Sequence, residues 1–154
     1  MDYKVHAIDT TTVETVRQTR TSPGYGHPAS VATAGGRGPC RLCLQPFRIG
    51  EEQRLLFTYD AFAGFEALPL PGPVFVHEQP CTRYPEDAGF PQALLQDRHT
   101  LNAYGAGRRL LDQVYVVGDE TEPAVRALLT RPEVSYVHVR DTGAGCYDFA
   151  VSRA

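Results

Sequence analysis

Residues 134–151 read VSYVHVRDTGAGCYDFAV. Two segments rich in valine and aromatic residues flank a short stretch that contains two glycines. Segments of this kind, separated by a glycine-containing loop, predict a β-hairpin with strands at 134–141 and 146–151. We therefore expect the end of the chain to form an antiparallel pair of strands within a sheet, the closing hairpin.

The register of this hairpin decides which side chains share a face. A loop at 141–145 would place Arg140 opposite Cys146 and His138 opposite Asp148, which separates apolar from polar residues cleanly. The polar face would then hold Tyr136, His138, Arg140, Cys146 and Asp148. Opposed side chains lie about 4.5–5.5 Å apart at Cβ, so we expect Asp148 to raise the pKa of His138 and Arg140 to stabilise a Cys146 thiolate. Such a face is either the wall of an anion-binding or nucleophilic site or the solvated face of an antiparallel sheet.

Further strands are indicated upstream. Residues 53–59 (QRLLFTY) alternate apolar and polar positions and predict a strand. Residues 98–104 and 110–117 flank Gly-Ala-Gly and predict a second hairpin. Because 74–77 and 114–117 are apolar on both faces, we expect inner strands there, as at 53–59. Shorter strands are expected at 3–8 and 30–33.

A helix is predicted after Thr121, which would cap it. Pro123 suits the first turn, and Pro132 would end the helix. Its apolar side consists of Val125, Leu128 and Leu129, which we expect to pack on the sheet. A second, short helix is expected at 11–20, with Val13 and Val16 on one side.

These elements predict an α+β fold with a mixed or mainly antiparallel sheet, one or two packing helices and long Gly/Pro loops. The 154 residues fit a single domain, 1–154, in which residues 1–21 supply the first strand and the short helix. The 14 glycines and 12 prolines are consistent with many turns, among them a bend at 68–73.

Composition excludes several classes of protein. Fifteen basic and 18 acidic residues give a net charge of −3, which is not typical of a nucleic-acid binder. No segment approaches the ~20 apolar residues that span a bilayer, and the N-terminus lacks the pattern of a signal peptide. We therefore expect a cytoplasmic protein with reduced thiols and no membrane or nucleic-acid partner. The common nucleotide-binding and hydrolase motifs are missing from the sequence.

Three segments resemble the bacterial domain-of-unknown-function family 1203. They read PGYGHPASVATAGGRGPCRLCL, RLLFTYDAFAGFEALPLPGPVFVHEQPC and VSYVHVRDTGAGCYDFAV. The most specific parts are PCR at 39–41, GPVFVH at 72–77 and VHV…GC at 137–146. The resemblance extends over residues 22–154 and implies no activity, substrate or cofactor.

The spacing of Cys40-x2-Cys43 and His77-x3-Cys81 provides two chelating pairs, which together would form a tetrahedral Cys3His zinc site. Two features argue against it. The pairs are farther apart than in most zinc fingers, and Leu44 stands where zinc knuckles favour small or polar residues. A thioredoxin-like redox role is not expected, since no strand precedes this CxxC and no helix follows it.

Cys40, Arg41 and His77 could also act together as nucleophile, oxyanion clamp and base. The alternative is that Cys40 is a small buried residue and that Arg41 binds loop carbonyls. Two functions are therefore open, and the sequence does not decide whether the protein is an enzyme. We favour a small-molecule enzyme or binding protein whose pocket joins the PCR loop, His77 and the closing hairpin. The alternative is a zinc-stabilised structural or protein-interaction module.

Overall fold

The computed structural model describes residues 2–62 and 72–154. The elements are β1 (Tyr3–His6), α1 (Thr10–Thr19), β2 (Ser30–Thr33), β3 (Gln53–Tyr59), β4 (Gly72–His77), β5 (Arg98–Tyr104), β6 (Leu110–Val117), α2 (Thr121–Thr130), β7 (Tyr136–Asp141) and β8 (Tyr147–Arg153).

The described strands form two antiparallel sheets. The larger has the order β1-β8-β7-β5-β6, and the smaller has the order β2-β3-β4. The predicted α+β class and the antiparallel hairpins β5–β6 and β7–β8 are confirmed. The bend predicted at 68–73 lies mostly outside the described residues, and the single-domain organisation and long Gly/Pro loops stay predictions.

Helix α2 covers the core of the larger sheet. Its buried residues Val125, Leu128 and Leu129 belong to that core, as predicted. The predicted cap is wrong, because the helix is preceded by Glu120 and Thr121 is its first residue. The hydroxyl of Thr121 is buried, and no described residue forms a hydrogen bond with it. Within the described residues, no helix is long and apolar enough to cross a membrane.

Helix α1 packs on the smaller sheet through the buried residues Val13 and Val16. Several of its residues are threonines, which have low helix propensity. The carboxylate of Asp9 compensates by accepting hydrogen bonds from the backbone N–H and the hydroxyl of Thr12, at 2.7 and 2.6 Å. This side-chain cap satisfies a backbone donor of the first turn.

Two of the three predicted inner strands lie at sheet edges. Strand β3 is central, as expected, whereas β4 and β6 are edge strands. On β6 the side chains of Tyr115 and Val117 are 67% and 49% exposed. An apolar run does not distinguish an inner strand from an edge strand, because much of a folded protein's surface is apolar.

The register predicted for the closing hairpin is also wrong. His138 lies opposite Ala150 and Arg140 lies opposite Tyr147, with a register shift between Val139 and Arg140. Asp148 is the extra residue of the resulting β-bulge, which re-aims its side chain. His138 and Asp148 therefore do not form a pair.

The PCR segment connects the two sheets. The carbonyl of Arg41 accepts a hydrogen bond from the N–H of Ile8, just beyond β1, at 2.9 Å. The N–H of Arg41 donates to the carbonyl of Phe75 in β4 at 3.0 Å. This segment therefore lies between the larger and the smaller sheet, next to the closing hairpin.

Candidate functional site

The structure brings together the four residues of the predicted metal site, Cys40, Cys43, His77 and Cys81, here called the Cys3His cluster. One ligand atom from each residue lies within 4.8 Å of the other three. The Sγ atoms of Cys40 and Cys81 are 3.9 Å apart, and Sγ of Cys43 is 3.2 Å from Nδ1 of His77. Tetrahedral zinc requires ligand atoms roughly 3.5–3.8 Å apart. The cluster therefore has the composition and the dimensions to hold a metal ion.

The turn at 40–43 presents its two thiols through local backbone geometry. The N–H of Leu44 donates to the carbonyl of Cys40 at 2.8 Å, and Leu44 has a φ of 55°, in the left-handed region. This conformation costs roughly 1–2 kcal/mol in a residue other than glycine. The leucine side chain is fully buried in the core of the larger sheet, which offsets that strain. Leu44 is therefore compatible with a zinc knuckle, contrary to the expectation from its size.

Two residues that were not predicted from the sequence orient the cluster. Nε2 of His77 is 3.5 Å from a carboxylate oxygen of Glu52, and metal-binding histidines commonly face a carboxylate with their second nitrogen. Nη2 of Arg17 donates to Sγ of Cys81 at 3.5 Å and to the carbonyls of His77 and Gln79. Arg17 belongs to α1 and Glu52 directly precedes β3, so no short spacing in the sequence connects either residue to the cysteines.

The crowding of these groups shifts their pKa values. The pKa of Cys40 is lowered, mainly by hydrogen bonds to Cys43 and Cys81. The pKa of Cys43 is raised, mainly by its hydrogen bonds to Cys40 and Cys81. Contacts with Cys40 and Cys81 raise the pKa of His77 to about 10. These shifts favour a thiolate at Cys40 beside a protonated His77, and a bound cation would take the place of the positive charge on the imidazole.

Arg41 does not join Cys40 and His77. Its side chain is buried, donates to the carbonyls of Tyr147 and Pro39 at 2.7 and 2.6 Å, and forms a 2.7 Å ion pair with Asp148. The guanidinium therefore binds backbone carbonyls and a carboxylate. This agrees with the alternative in which Arg41 stabilises the surrounding backbone. Burial raises the pKa of Asp148 to about 6, while the charge of Arg41 opposes that rise.

His138 is enclosed by aromatic rings. Its ring centroid lies 4.6–5.2 Å from those of Phe62, Tyr104, Tyr136 and Tyr147. Burial, and secondarily the charge of Arg140, lower the pKa of His138 to about 3. The predicted rise in this pKa is therefore wrong, because burial dominates and no carboxylate of the described residues pairs with the imidazole.

The predicted pair of Arg140 and Cys146 is not formed either. The Nε and Nη2 of Arg140 both donate to the carbonyl of Gly145, at 3.0 and 2.7 Å. Sγ of Cys146 instead faces the carbonyl of Ala144 at 4.0 Å. Cys146 also lies apart from the Cys3His cluster, as expected.

A pocket of about 460 Å³ lies between the glycine-rich loop at 36–39 and the closing hairpin. We call it the arginine pocket. Three predicted residues line it, namely Arg41, Cys146 and Asp148, whereas Cys40 and His77 are not part of its lining. Its lining also contains residues that the sequence did not single out, among them Arg54, Arg98 and His99. These come from β3 and β5, and only the folded arrangement brings them together.

Comparison with known proteins identifies the family and no activity. Residues 37–153 match the family described as "Protein of unknown function (DUF1203)", and the chain belongs to this family. The resemblance expected from the sequence is thereby confirmed. Neither a curated protein nor a solved structure matches the chain.

Proposed function

We propose that this member of the DUF1203 family is a zinc-stabilised module in which the Cys3His cluster holds one structural Zn²⁺. The observation that supports the proposal is the convergence of three thiols and one imidazole nitrogen within 4.8 Å. Four protein ligands complete a tetrahedral coordination sphere, which is typical of structural zinc and differs from the open position of catalytic zinc.

The donor set favours zinc among the divalent metals. Thiolates are soft ligands, and a tetrahedral set of sulfur and nitrogen donors is typical of Zn²⁺. Three thiolates and one Zn²⁺ leave a net charge of −1, and the guanidinium of Arg17 next to Cys81 would balance it. Glu52 would accept the remaining N–H of His77 and so keep Nδ1 directed at the metal.

A bound ion would connect three separate pieces of the chain. These are the turn at 40–43, the end of β4 at His77 and the loop that contains Cys81. Arg17 adds α1 to this assembly through its bonds to the carbonyls of His77 and Gln79. Among the described residues the smaller sheet has three strands, and small cores commonly depend on a metal or on disulfides for stability. Zinc–thiolate sites suit a cytoplasmic, reducing location.

Metal analysis tests this proposal. Protein purified from zinc-supplemented cultures should retain one equivalent of zinc after dialysis, measured by inductively coupled plasma mass spectrometry. Cys43→Ser and Cys81→Ser should lose most of it, whereas Cys146→Ser should retain it. Far-UV circular dichroism establishes that the variants are folded. Wild-type protein without stoichiometric metal, or zinc loss in Cys146→Ser, would overturn the assignment.

Small-molecule binding is the second candidate function. It is favoured by the arginine pocket, whose volume of about 460 Å³ lies within the roughly 300–1,000 Å³ of ligand sites. The buried ion pair of Arg41 and Asp148 lines this pocket. A few fixed polar groups of this kind orient ligands in such sites.

A further inference from the structure

We propose that the arginine pocket binds a small organic anion with at least two negative groups, carboxylate or phosphate, and that Arg54 and Arg98 contact these groups. The inference rests on the second candidate function, small-molecule binding, and does not depend on the metal. It names the class of ligand and the residues that recognise it.

The acidic and the basic side chains that line the pocket differ in how many of them already have partners within the protein. Four arginines and three aspartates line it. Each aspartate already has partners. Asp97 lies 3.5 Å from Arg37 and Asp148 lies 2.7 Å from Arg41, while Asp141 accepts hydrogen bonds from backbone N–H groups of its own turn. The carboxylates therefore have partners within the protein, and two guanidinium groups are not paired with an aspartate, which leaves the lining with a net charge of +1.

Those two guanidinium groups belong to Arg54 and Arg98. Within residues 2–62 and 72–154, neither side chain forms a hydrogen bond or an ion pair. The guanidinium carbon of Arg54 lies 3.8 Å from the centroid of the Phe75 ring, so a cation–π contact holds it in place. Its Nε atom is buried and has no hydrogen-bond partner in the part of the chain that the structure describes. A positioned guanidinium with unused donors favours a carboxylate or phosphate ligand.

His99 provides a third, independent observation. It is 2% exposed and lines the pocket. Nε2 of His99 lies 2.9 Å from the carbonyl of Leu94 and must donate to it. Nδ1 is buried, lies 4.0 Å from a carboxylate oxygen of Asp148, and has no hydrogen-bond partner among the described residues. A buried polar atom without a partner is costly. Because Nε2 donates, Nδ1 of the neutral ring accepts, and a hydroxyl group of the ligand beside its anionic groups would satisfy it.

Isothermal titration calorimetry tests the inference on the protein of residues 1–154 as purified. Citrate and inorganic pyrophosphate are the two probes, titrated separately at constant ionic strength, so that the preferred probe distinguishes a carboxylate ligand from a phosphate ligand. We expect saturable binding of at least one probe at a single site. Arg54→Gln and Arg98→Gln should each weaken it by about tenfold or more, because each removes charged hydrogen bonds to the anion.

Arg109→Gln is the matched control, since Arg109 is exposed and lies outside the pocket. Its affinity should equal that of the wild type. Arg98 is also exposed, so Arg98→Gln should fold normally even if Arg54→Gln does not. The inference is overturned if neither probe saturates, or if Arg98→Gln binds as tightly as Arg109→Gln.

Failure of this inference can be separated from failure of the second candidate function. A screen of neutral fragments, followed by NMR chemical-shift changes at pocket residues, reports whether the pocket binds small molecules at all. Neutral fragments that bind where the anions do not would overturn the anion assignment alone. Absence of binding by both fragments and anions would overturn small-molecule binding as well.

Discussion

The Cys3His cluster and the closing hairpin differ in how their polar groups are satisfied. In the cluster, four ligand atoms face one another within 4.8 Å. In the closing hairpin, the polar side chains are satisfied by the protein or enclosed by it. Arg140 binds a carbonyl, Asp148 binds Arg41, and His138 is surrounded by rings. The ligand atoms of the cluster therefore converge on one point, as a metal site requires, whereas the polar groups of the hairpin do not converge.

The same two regions show what a sequence pattern can predict. Each half of the cluster depends on a chelating pair close in sequence, so local spacing was sufficient to propose it. The hairpin site depended on register, and one extra residue in a strand changes every pair beyond it. Asp148 is that residue. Chelating pairs therefore predict a site more reliably than an assumed strand register.

The largest expected effect comes from removing one ligand of the cluster. In zinc-containing buffer, Cys81→Ser should lower the free energy of unfolding by about 4 kcal/mol, since ligand at about 1,000 times its dissociation constant contributes that much. Urea denaturation followed by circular dichroism measures the change. Cys146→Ser, outside the cluster, should stay within about 0.5 kcal/mol of the wild type. Equal stability of the two variants would mean that no metal stabilises the fold.

The next effect tests the buried ion pair. Arg41→Met should destabilise the protein by about 3–5 kcal/mol at pH 7, because it leaves Asp148 buried and unpaired. The pKa of Asp148 is already raised to about 6 in the folded protein, and loss of the guanidinium should raise it further. A carboxyl group with a raised pKa contributes stability that is present at low pH and lost as the pH rises through that pKa. The cost of Arg41→Met should therefore be smaller at pH 5.

Urea denaturation at pH 7 and pH 5 checks this, with the wild type measured at each pH so that effects of pH on the metal cancel. The direction of the change is the critical result. If Arg41→Met lowered the free energy of unfolding more at pH 5 than at pH 7, the unpaired carboxylate of Asp148 would not be the cause of the destabilisation.

Much of the fold follows from local patterns in the sequence. The strand β3, the hairpins β5–β6 and β7–β8, and the packing of α2 were all predicted, because each depends on residues close together in the chain. The edge positions of β4 and β6 were not, since strand order is set by contacts between distant segments.

The candidate sites likewise contain some residues that local sequence patterns predict and others that they do not. The four residues of the cluster were predicted together, but their neighbours Arg17 and Glu52 were not. The pocket residues Arg54 and Arg98 carry no spacing signal, because they come from strands of different sheets. Sequence patterns identify residues that carry the chemistry, and tertiary structure decides which of them meet.

A smaller effect distinguishes His138 from a surface histidine. Its pKa is lowered to about 3 in the folded protein, against about 6.5 when unfolded. A depressed pKa contributes stability that is present above about 6.5 and lost as the pH falls toward the folded value. Between pH 7 and pH 5 the titration of His138 should lower the free energy of unfolding of the wild type by about 2 kcal/mol.

His138→Leu removes the titrating group and should remove that part of the pH dependence. Urea denaturation at both pH values measures it, and the difference between the two proteins cancels any contribution of the metal. If both proteins lost the same stability between pH 7 and pH 5, His138 would not be buried in its neutral form.

The smallest expected effect concerns Arg140 and Cys146, which the predicted register placed opposite each other. A guanidinium beside a thiol stabilises the thiolate and so accelerates alkylation. In the structure, Arg140 donates to the Gly145 carbonyl through both Nε and Nη2, so these two donors are directed at the backbone and not at Cys146. Arg140→Gln should therefore change the rate of Cys146 alkylation by iodoacetamide by less than about twofold, measured by mass spectrometry of the Cys146 peptide from the metal-loaded protein. A tenfold decrease would instead support a thiolate–guanidinium pair, and the closing hairpin would again be a candidate nucleophilic site.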